Sequence, residues 1–289
     1  MILNEKKKLI NQKNADVTGI VLSYNSEKTL ANCLWALKNQ SLELEEIIVI
    51  DDGSTDRSVK ISIESGARVI TNSSNRGRGY SRNLGIKESK SEYILFCDSS
   101  NIIPSNFASK ALKHFDDLSI SAVFGRILND SRIQSICNRW RARHLFREHL
   151  DYRTEVHDVD CLITYALMLK KSAVLTAGNF RKDLRMCEDL DLGKKLINNG
   201  FRILSDPGLC CYSIRQETII SLCIRYHRWF SYENEVFDLY RTFVDTFKTS
   251  LTICSREDIR AKDFFCLLIS ISIPFIILIL GKLCPYKLR

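Results

Sequence analysis

The sequence predicts an α/β protein with a mostly parallel central sheet flanked by helices, followed by a helical extension and a hydrophobic anchor segment near the C-terminal end. Three observations carry this expectation. Short apolar runs alternate with amphipathic stretches through the first third of the chain, the pattern of right-handed strand–helix–strand units. Polar and acidic residues gather at the exits of three such runs: Ser23-Tyr24-Asn25, Asp51-Asp52 and Asp98. Sheets of this kind bind ligands beyond the C-terminal ends of their strands. Finally, Phe264 to Leu280 holds 17 residues without a charge.

The elements follow in order. Asp16–Ser23 (DVTGIVLS) reads as a short buried strand and Glu27–Asn39 as an amphipathic helix. Glu46–Ile50 is a second strand, halted by the turn-forming DDGSTD. Asp56–Ser65 suits a helix, Ala67–Thr71 a third strand, Arg78–Glu88 a helix and Tyr93–Cys97 a fourth strand. The second half is less regular, with helices expected over Asn138–Arg153 and Leu190–Asn198 and a strand over Cys161–Leu169. Ile219–Phe243 reads as one or two amphipathic helices leading to the apolar run. That run is close to the shortest that spans a bilayer, about 17–20 residues. Ile and Phe cover every face, and Pro274 would kink it into a shallow or re-entrant anchor. Membrane attachment is expected in preference to a buried soluble helix. Both flanks are basic, so charge does not set the topology.

Composition narrows the function. The 289 residues include 42 basic and 34 acidic side chains, a net charge of +8. That suits an anionic small substrate or a membrane surface. No interleaved basic and aromatic motif for bases stands out, so nucleic acid is not expected as a partner. The eleven cysteines form no Cys-x-x-Cys pair, which leaves buried, reduced thiols of a cytosolic compartment as the reading. The N-terminus has no apolar core of a signal peptide, so none is expected. His114, His144, His149, His157 and His227 show no ligand spacing and read as structural or surface residues.

Several residues have the chemistry of a site. Asp51 and Asp52 follow a strand directly. Turn chemistry explains Asp56 as a helix cap but not two adjacent acids at a ligand-binding sheet edge, where a carboxylate accepts a base N–H or a ribose hydroxyl. Tyr24 stands where it would stack on a base. NRGRGYSRNLG, Asn75 to Gly85, opens a helix with glycines and arginines that suit a phosphate, although Arg82 takes the last glycine position of a dinucleotide fingerprint. No glycine-rich loop follows the first strand, as a nucleotidyltransferase would require. In RMCEDLDLGKKL, Arg185 to Leu196, the acids Glu188, Asp189 and Asp191 begin a helix. Capping is the plain explanation. The functional one is a carboxylate base that deprotonates an acceptor hydroxyl, Asp189 first and Glu188 second. Arg139, Arg143 and Arg147 lie four apart on one helix face. That face is either simply solvated or a contact for lipid headgroups or a lipid-diphosphate acceptor.

The order IVLSYN, EIIVIDDGSTD, NRGRGYSRNLG, YILFCDSS, AGNF, CEDLDLGKKL resembles glycosyltransferase family 2 over about residues 17 to 215. The resemblance implies the A-type glycosyltransferase fold, Rossmann-like, and inverting transfer from UDP-, GDP- or dTDP-sugars. It implies that Ser23, Tyr24, Asp52, Arg82 and Asp98 bind the donor: Tyr24 packs on the base, Asp52 hydrogen-bonds it, Arg82 lies near the donor and Asp98 contacts the ribose. It makes Asp189 the catalytic base and Asp98 the first acid of an Asp-x-Asp motif that places a divalent cation, Mg²⁺ or Mn²⁺. On this reading residues 1–15 are a basic tail and 16–215 the catalytic domain, with a donor half over 16–103 and an acceptor half over 104–215. Residues 216–263 are an amphipathic extension, 264–280 the anchor and 281–289 a second basic tail.

Three departures accompany the resemblance. Ser100 stands where the motif's principal metal ligand would be an acid, and a neutral hydroxyl is a weaker ligand for a hard cation. Ser213 occupies a position where many relatives carry His. RYHRW, Arg225 to Trp229, matches the QxxRW motif of processive membrane synthases only in part. Arg225 and Arg228 would neutralise a diphosphate if the cation were missing. The leading expectation is an inverting glycosyltransferase at the cytoplasmic face of the cell membrane, acting on a lipid-linked glycan or another envelope acceptor. The competing one is a degenerate relative that binds nucleotide sugar, or scaffolds glycan assembly, without catalysis.

Overall fold

The computed structural model describes residues 15–148, 154–184, 186–230 and 239–283, and of residues 15, 226–230, 239–243, 281 and 283 the backbone alone. The elements in chain order are β1 (Ala15–Ser23), α1 (Leu30–Lys38), β2 (Leu44–Asp51), α2 (Ser58–Glu64), β3 (Arg68–Thr71), α3 (Arg78–Glu88), β4 (Tyr93–Asp98) and β5 (Asn101–Ile102). There follow α4 (Phe107–Leu112), β6 (Ile120–Asn129), α5 (Ile136–His144), β7 (His157–Asp158), β8 (Ala166–Lys170), α6 (Lys171–Ala177), α7 (Glu188–Asn198) and β9 (Arg202–Ser213). The chain closes with α8 (Ile219–Phe230), α9 (Leu239–Thr249), α10 (Ser255–Arg260) and α11 (Phe264–Leu283). Two compact units result. The first joins Met1–Leu128 to Tyr152–Ile214, and the second joins Asn129–Asp151 to Arg215–Arg289.

The first unit is built on the sheet, ordered β3-β2-β1-β4-β8-β6-β9-β5, with β7 pairing to β9. Strands β3, β2, β1 and β4 are parallel. From β8 onward the described pairings are antiparallel, so the sheet is mixed rather than mostly parallel. Apolar periodicity marks a strand but carries no direction, and β8 returns along β4 instead of crossing over it.

Both faces of the sheet are covered, which is why its central strands are nearly continuous in apolar residues. Val17, Val21, Val49 and Leu95 face one core with Leu30, Leu34 and Leu37 of α1 and Phe107 of α4. Ile20, Ile48, Ile50 and Phe96 face the other with Ile86 of α3, Val174 of α6 and Leu192 and Leu196 of α7. The alternation of Val17 and Val21 against Ile20 is the period-2 geometry of a strand. Gly85 lets α3 press on β1, since a Cβ there would lie 2.9 Å from Ile20 Cγ2.

The second unit corrects two expectations. Helix α5 ends at His144 instead of continuing, and Arg147 takes a left-handed φ of 52°; residues 149–153 lie outside the described residues. Two arginines of the expected basic face, Arg139 and Arg143, are held by acids within the unit, while Arg147 lies past the end of α5 and is exposed. Arg139 lies 3.3 Å from Asp263, and Arg143 lies 2.5 Å from Asp258 and 3.3 Å from Asp263. Burial pushes the Asp263 carboxyl up, but Arg139 and the Cys266 amide outweigh it and hold the group well below the usual range. His144 Nδ1 and Nε2 meet Glu257 at 3.0 Å and Asp258 at 2.8 Å.

The apolar run extends from Phe264 to Leu283 as α11, with Pro274 inside it. One face packs inward: Cys266, Ser270, Ile273 and Ile277 are fully buried. Trp140 Nε1 donates to Ser270 Oγ at 2.7 Å, and Ser270 Oγ donates to Asp258 at 2.6 Å. The other face carries Phe264, Phe265, Leu268, Ile271, Phe275 and Ile279, each between 40% and 66% exposed. Among the described residues no helix is long and apolar enough to cross a membrane.

Candidate active site

Of the predicted residues, Ser23, Tyr24, Asp52 and Asp98 stand at the C-terminal ends of β1, β2 and β4, while Arg82 lies on α3 and Glu188 and Asp189 on α7. Ser23 pairs with Asp51 across β1 and β2, and Leu22 with Asp98 across β1 and β4. The loops after β1 and β2 are tied together. Asn25, at a left-handed φ of 48°, donates its N–H to Ser54 Oγ at 2.9 Å and accepts from Thr55 N at 2.9 Å. Asp51 accepts from Ser54 N at 2.9 Å. Asp56 accepts from the amides of Glu27, at 3.0 Å, and Ser58, at 2.9 Å. Burial pushes the Asp56 carboxyl up, but these bonds and the Ser58 hydroxyl hold it below its ordinary value. Tyr24 is left 52% exposed at the lip of this framework. Ser23 Oγ is buried with no hydrogen-bond partner.

Asp52 has a role that the sequence did not show. Its Oδ1 accepts from Asn72 Nδ2 at 2.7 Å and Arg76 N at 2.9 Å, and its Oδ2 accepts from Gly77 N at 2.9 Å. The carboxylate therefore fills the anion position at the start of α3 that the glycine-arginine stretch offered to a phosphate. Gly77 caps that helix at a φ of 89°. Three of about four acceptor positions on Asp52 are taken by the protein.

At β4's exit, Asp98 is followed by Ser99, whose hydroxyl meets Ser26 Oγ at 2.9 Å, and by Ser100, whose carbonyl accepts from Ile214 N at 2.9 Å. Asn101 is buried and donates to the Tyr165 carbonyl at 3.0 Å. Among the described residues no group of three or more His, Cys, Asp or Glu is arranged to hold a metal ion. One carboxylate flanked by hydroxyls does not fit a cation held by protein alone. It fits one whose remaining ligands come with a bound diphosphate.

The acids of α7 are divided by their surroundings. Glu188 is 2% exposed and paired with Arg82. Neither acid caps the helix; the N-cap position is Cys187, in a left-handed conformation. Asp189 Oδ1 accepts from Leu190 N at 3.0 Å, and its Oδ2 faces Thr164 Oγ1 at 3.4 Å. Burial raises the Asp189 carboxyl above its ordinary value and Glu188 adds to the rise, against a lowering by Arg82. Arg82 is 3% exposed, held by Glu188 and by Thr164 Oγ1 at 2.6 Å. Thr164 was absent from the sequence expectations. Its signal was a hydroxyl inside the apolar run CLITYALML, which puts a polar side chain where only a partner justifies burial.

Arg225 belongs to the second unit, where its guanidinium lies 2.8 Å from Glu217. Glu217 also meets Arg141 at 3.0 Å. Burial pushes the Glu217 carboxyl up, but Arg225, the Ser221 hydroxyl, Arg215 and Arg141 together hold it below its ordinary value. The side chain of Arg228 lies outside the described residues, as do the side chains of His227 and Trp229, and residue 185.

The sequence model of the family described as Glycosyl transferase family 2 matches residues 18–174, more than half of the chain. The poly-β-1,6-N-acetyl-D-glucosamine synthase of Staphylococcus aureus (strain COL) is 28% identical over 254 residues, covering 86% of this chain and 61% of that protein. The protein of the same name from Staphylococcus epidermidis is 26% identical over 266 residues, covering 88% of this chain and 64% of the relative. The chain thus spans a little over three-fifths of the length of these curated relatives. Among solved structures, the mannosyltransferase PcManGT from Pyrobaculum calidifontis in complex with GDP-Man and Mn²⁺ is similar with a TM-score of 0.58 and 16% identity, covering 94% of this chain and 77% of that one. S. aureus TarS 1–349 in complex with UDP-GlcNAc gives a TM-score of 0.56 and 17% identity, covering 92% and 91%. At such identities the likeness shows the fold alone, an α/β fold of the A-type glycosyltransferases with a mixed sheet.

Proposed function

The chain belongs to glycosyltransferase family 2, and on that premise we propose that it transfers a sugar from a nucleotide-diphosphate donor to a glycan hydroxyl with inversion at the anomeric carbon. The observation that carries the reading is the separation of two adjacent acids. Glu188 is paired with Arg82, whereas Asp189 makes no salt bridge among the described residues and has its basicity raised by burial, against a lowering by Arg82. A carboxylate tuned upward is the better proton acceptor for a hydroxyl nucleophile. Asp189 takes the acceptor's proton, the acceptor oxygen forms its bond to the anomeric carbon, and the bond from that carbon to the diphosphate breaks on the opposite face. The nucleoside diphosphate leaves with the electron pair.

In this reading Tyr24 stacks on the donor's base, and Ser23 and Asp98 offer polar atoms to its ribose. Asp52 acts by fixing the loop after β3, with one acceptor position left for the base. Arg225 and Arg228 belong to the second unit, where Arg225 is engaged by Glu217. A divalent cation, Mg²⁺ or Mn²⁺, would be held by Asp98 with the Ser100 hydroxyl and the donor's own diphosphate, and would supply neutralising charge. UDP-N-acetylglucosamine is the first donor to test, because the curated relatives are named as N-acetylglucosamine polymer synthases. Purified protein offered UDP- and GDP-sugars is expected to release nucleoside diphosphate from one of them, and EDTA is expected to stop release until Mn²⁺ is restored. Full release in EDTA would overturn the cation's part. Donor binding with no release from any donor would favour the non-catalytic reading, to which Ser100 and Ser213 lend support.

The acceptor is proposed to be a cell-envelope glycan, lipid-linked or free, reached at the cytoplasmic face of the membrane. Support comes from the outer face of α11, whose exposed apolar row adjoins the exposed Ile259, Arg256, Arg260 and Lys262. Apolar side chains beside basic ones suit an anionic bilayer surface, with the helix lying in the interface. The 289-residue chain is expected to float with vesicles containing about one-third phosphatidylglycerol, and Phe265→Glu combined with Leu268→Glu to lower the bound fraction about tenfold. Equal flotation of both proteins would sink the membrane reading.

A further inference from the structure

We infer that Glu188 and Thr164 are positioning residues for Asp189, acting through the buried guanidinium of Arg82; the inference rests on Asp189 as the proposed base. Arg82 lies beneath the rings of Phe96 and Phe180, 6.0 and 5.4 Å from their centroids. Its Nη1 donates to Glu188 and its Nη2 to Thr164 Oγ1 at 2.6 Å, while its Nε has no hydrogen-bond partner. The guanidinium's place is therefore fixed by those two acceptors. A threonine hydroxyl that accepts from an arginine must turn its own hydrogen elsewhere, and Asp189 Oδ2 stands 3.4 Å away. The result is a chain from Glu188 through Arg82 and Thr164 to Asp189. Its ends are neighbouring residues, but its middle members come from α3 and from the segment leading into β8.

The chain has two effects on the base. Thr164 orients one carboxylate oxygen, leaving the other on the Leu190 amide, so the group does not rotate. Glu188 neutralises Arg82. In a poorly solvated site an uncompensated arginine would stabilise the Asp189 carboxylate and weaken it as a base. Among the described residues, the other titratable groups facing Asp189 are the thiols of Cys187 and Cys161. Burial pushes both up, Cys187 to about 11 with Asp189 and Glu188 adding and Arg78 opposing. Both are neutral near pH 7, so among the described residues Arg82 and Glu188 are the charges that act on Asp189. This explains why two acids stand side by side: one is the base and the other is the counter-ion of the arginine beside it.

The test measures nucleotide release against pH for Glu188→Gln, Thr164→Val, Thr164→Ser and Asp189→Asn in the full chain, with folding checked by thermal unfolding. Glu188→Gln removes the negative neighbour and frees the arginine's charge to act on Asp189. The acid limb of kcat is expected to move down by about one pH unit, with donor KM changed less than about twofold. Thr164→Val is expected to lower kcat about tenfold at unchanged donor KM, with Thr164→Ser restoring it. An acid limb that stays in place in Glu188→Gln, or a donor KM that rises about tenfold at constant kcat, would overturn the inference. If Glu188→Gln does not fold, the threonine pair decides: equal kcat in Val and Ser variants overturns it. Release by Asp189→Asn at the wild-type rate is a separate failure, that of the base assignment itself.

Discussion

Asp189→Asn is expected to lower kcat for sugar transfer by about 10³-fold, within the range for loss of a general base, while donor KM changes less than about threefold. The amide keeps the size of the side chain; its oxygen can still accept from the Leu190 amide and its nitrogen can donate to Thr164 Oγ1, so the site should stay formed. What it loses is the ability to take a proton from the acceptor hydroxyl. Because Arg82 is ion-paired with Glu188 and not with Asp189, the two corresponding amide variants should differ in kind. Asp189→Asn removes turnover, and Glu188→Gln shifts its pH dependence. The wild-type acid limb should lie above the ordinary aspartate value, since burial raises the Asp189 carboxyl. Activity is then lost as pH falls through that raised value, when the base becomes protonated. Donor hydrolysis without acceptor should fall less steeply in Asp189→Asn, because water can lose its proton to solvent. A variant that transfers sugar at the wild-type rate would remove Asp189 from the reaction.

Asp52→Ala is expected to cost about 2–4 kcal/mol of stability in urea unfolding and to weaken UDP binding at least about tenfold. The stability figure follows from leaving the buried Asn72 amide without an acceptor, at about 1–3 kcal/mol, with a smaller addition from the two part-buried backbone N–H groups, which water reaches in part. All three donors lie within 2.9 Å of the carboxylate, and two of them define the entry to α3. The same helix carries Arg82, so a loosened entry displaces the arginine from Glu188 and Thr164. The effect on UDP follows if the loop forms one wall of the base site, as proposed. Calorimetric titration with UDP and an unfolding curve separate the two parts. Wild-type values in both would show that the carboxylate's three bonds are dispensable.

Much of the first unit was legible because local patterns encode it. Helix α3 begins and ends where the sequence placed it, at Arg78 and Glu88. The strands β1 to β4 fall on the expected apolar runs, since a strand covered on both faces needs an uninterrupted apolar sequence. The direction of β8 was not legible, because antiparallel and parallel strands bury the same residues. The basic face of α5 was read in isolation; its acids come from residues 258 to 263, more than a hundred positions later. The apolar run at Phe264 was seen to be apolar on every side. That Ser270 and Cys266 turn inward while Phe265 and Leu268 stay exposed depends on what the helix packs against.

By itself, the sequence determined the order of elements, the family motifs and the polar residues at the strand ends, including the loss of an acid at Ser100. Those are properties of single residues and of spacing along the chain. Only the tertiary structure decided what each acid does. Asp52 closes a loop, Glu188 answers an arginine 106 residues away in sequence, and Asp189 is left as the half-buried carboxylate with raised basicity. The physical reason is that an acid's chemistry is set by desolvation and by the charges within a few ångströms. In this protein those neighbours, Arg82 and Thr164, come from distant segments that meet only when the sheet is assembled.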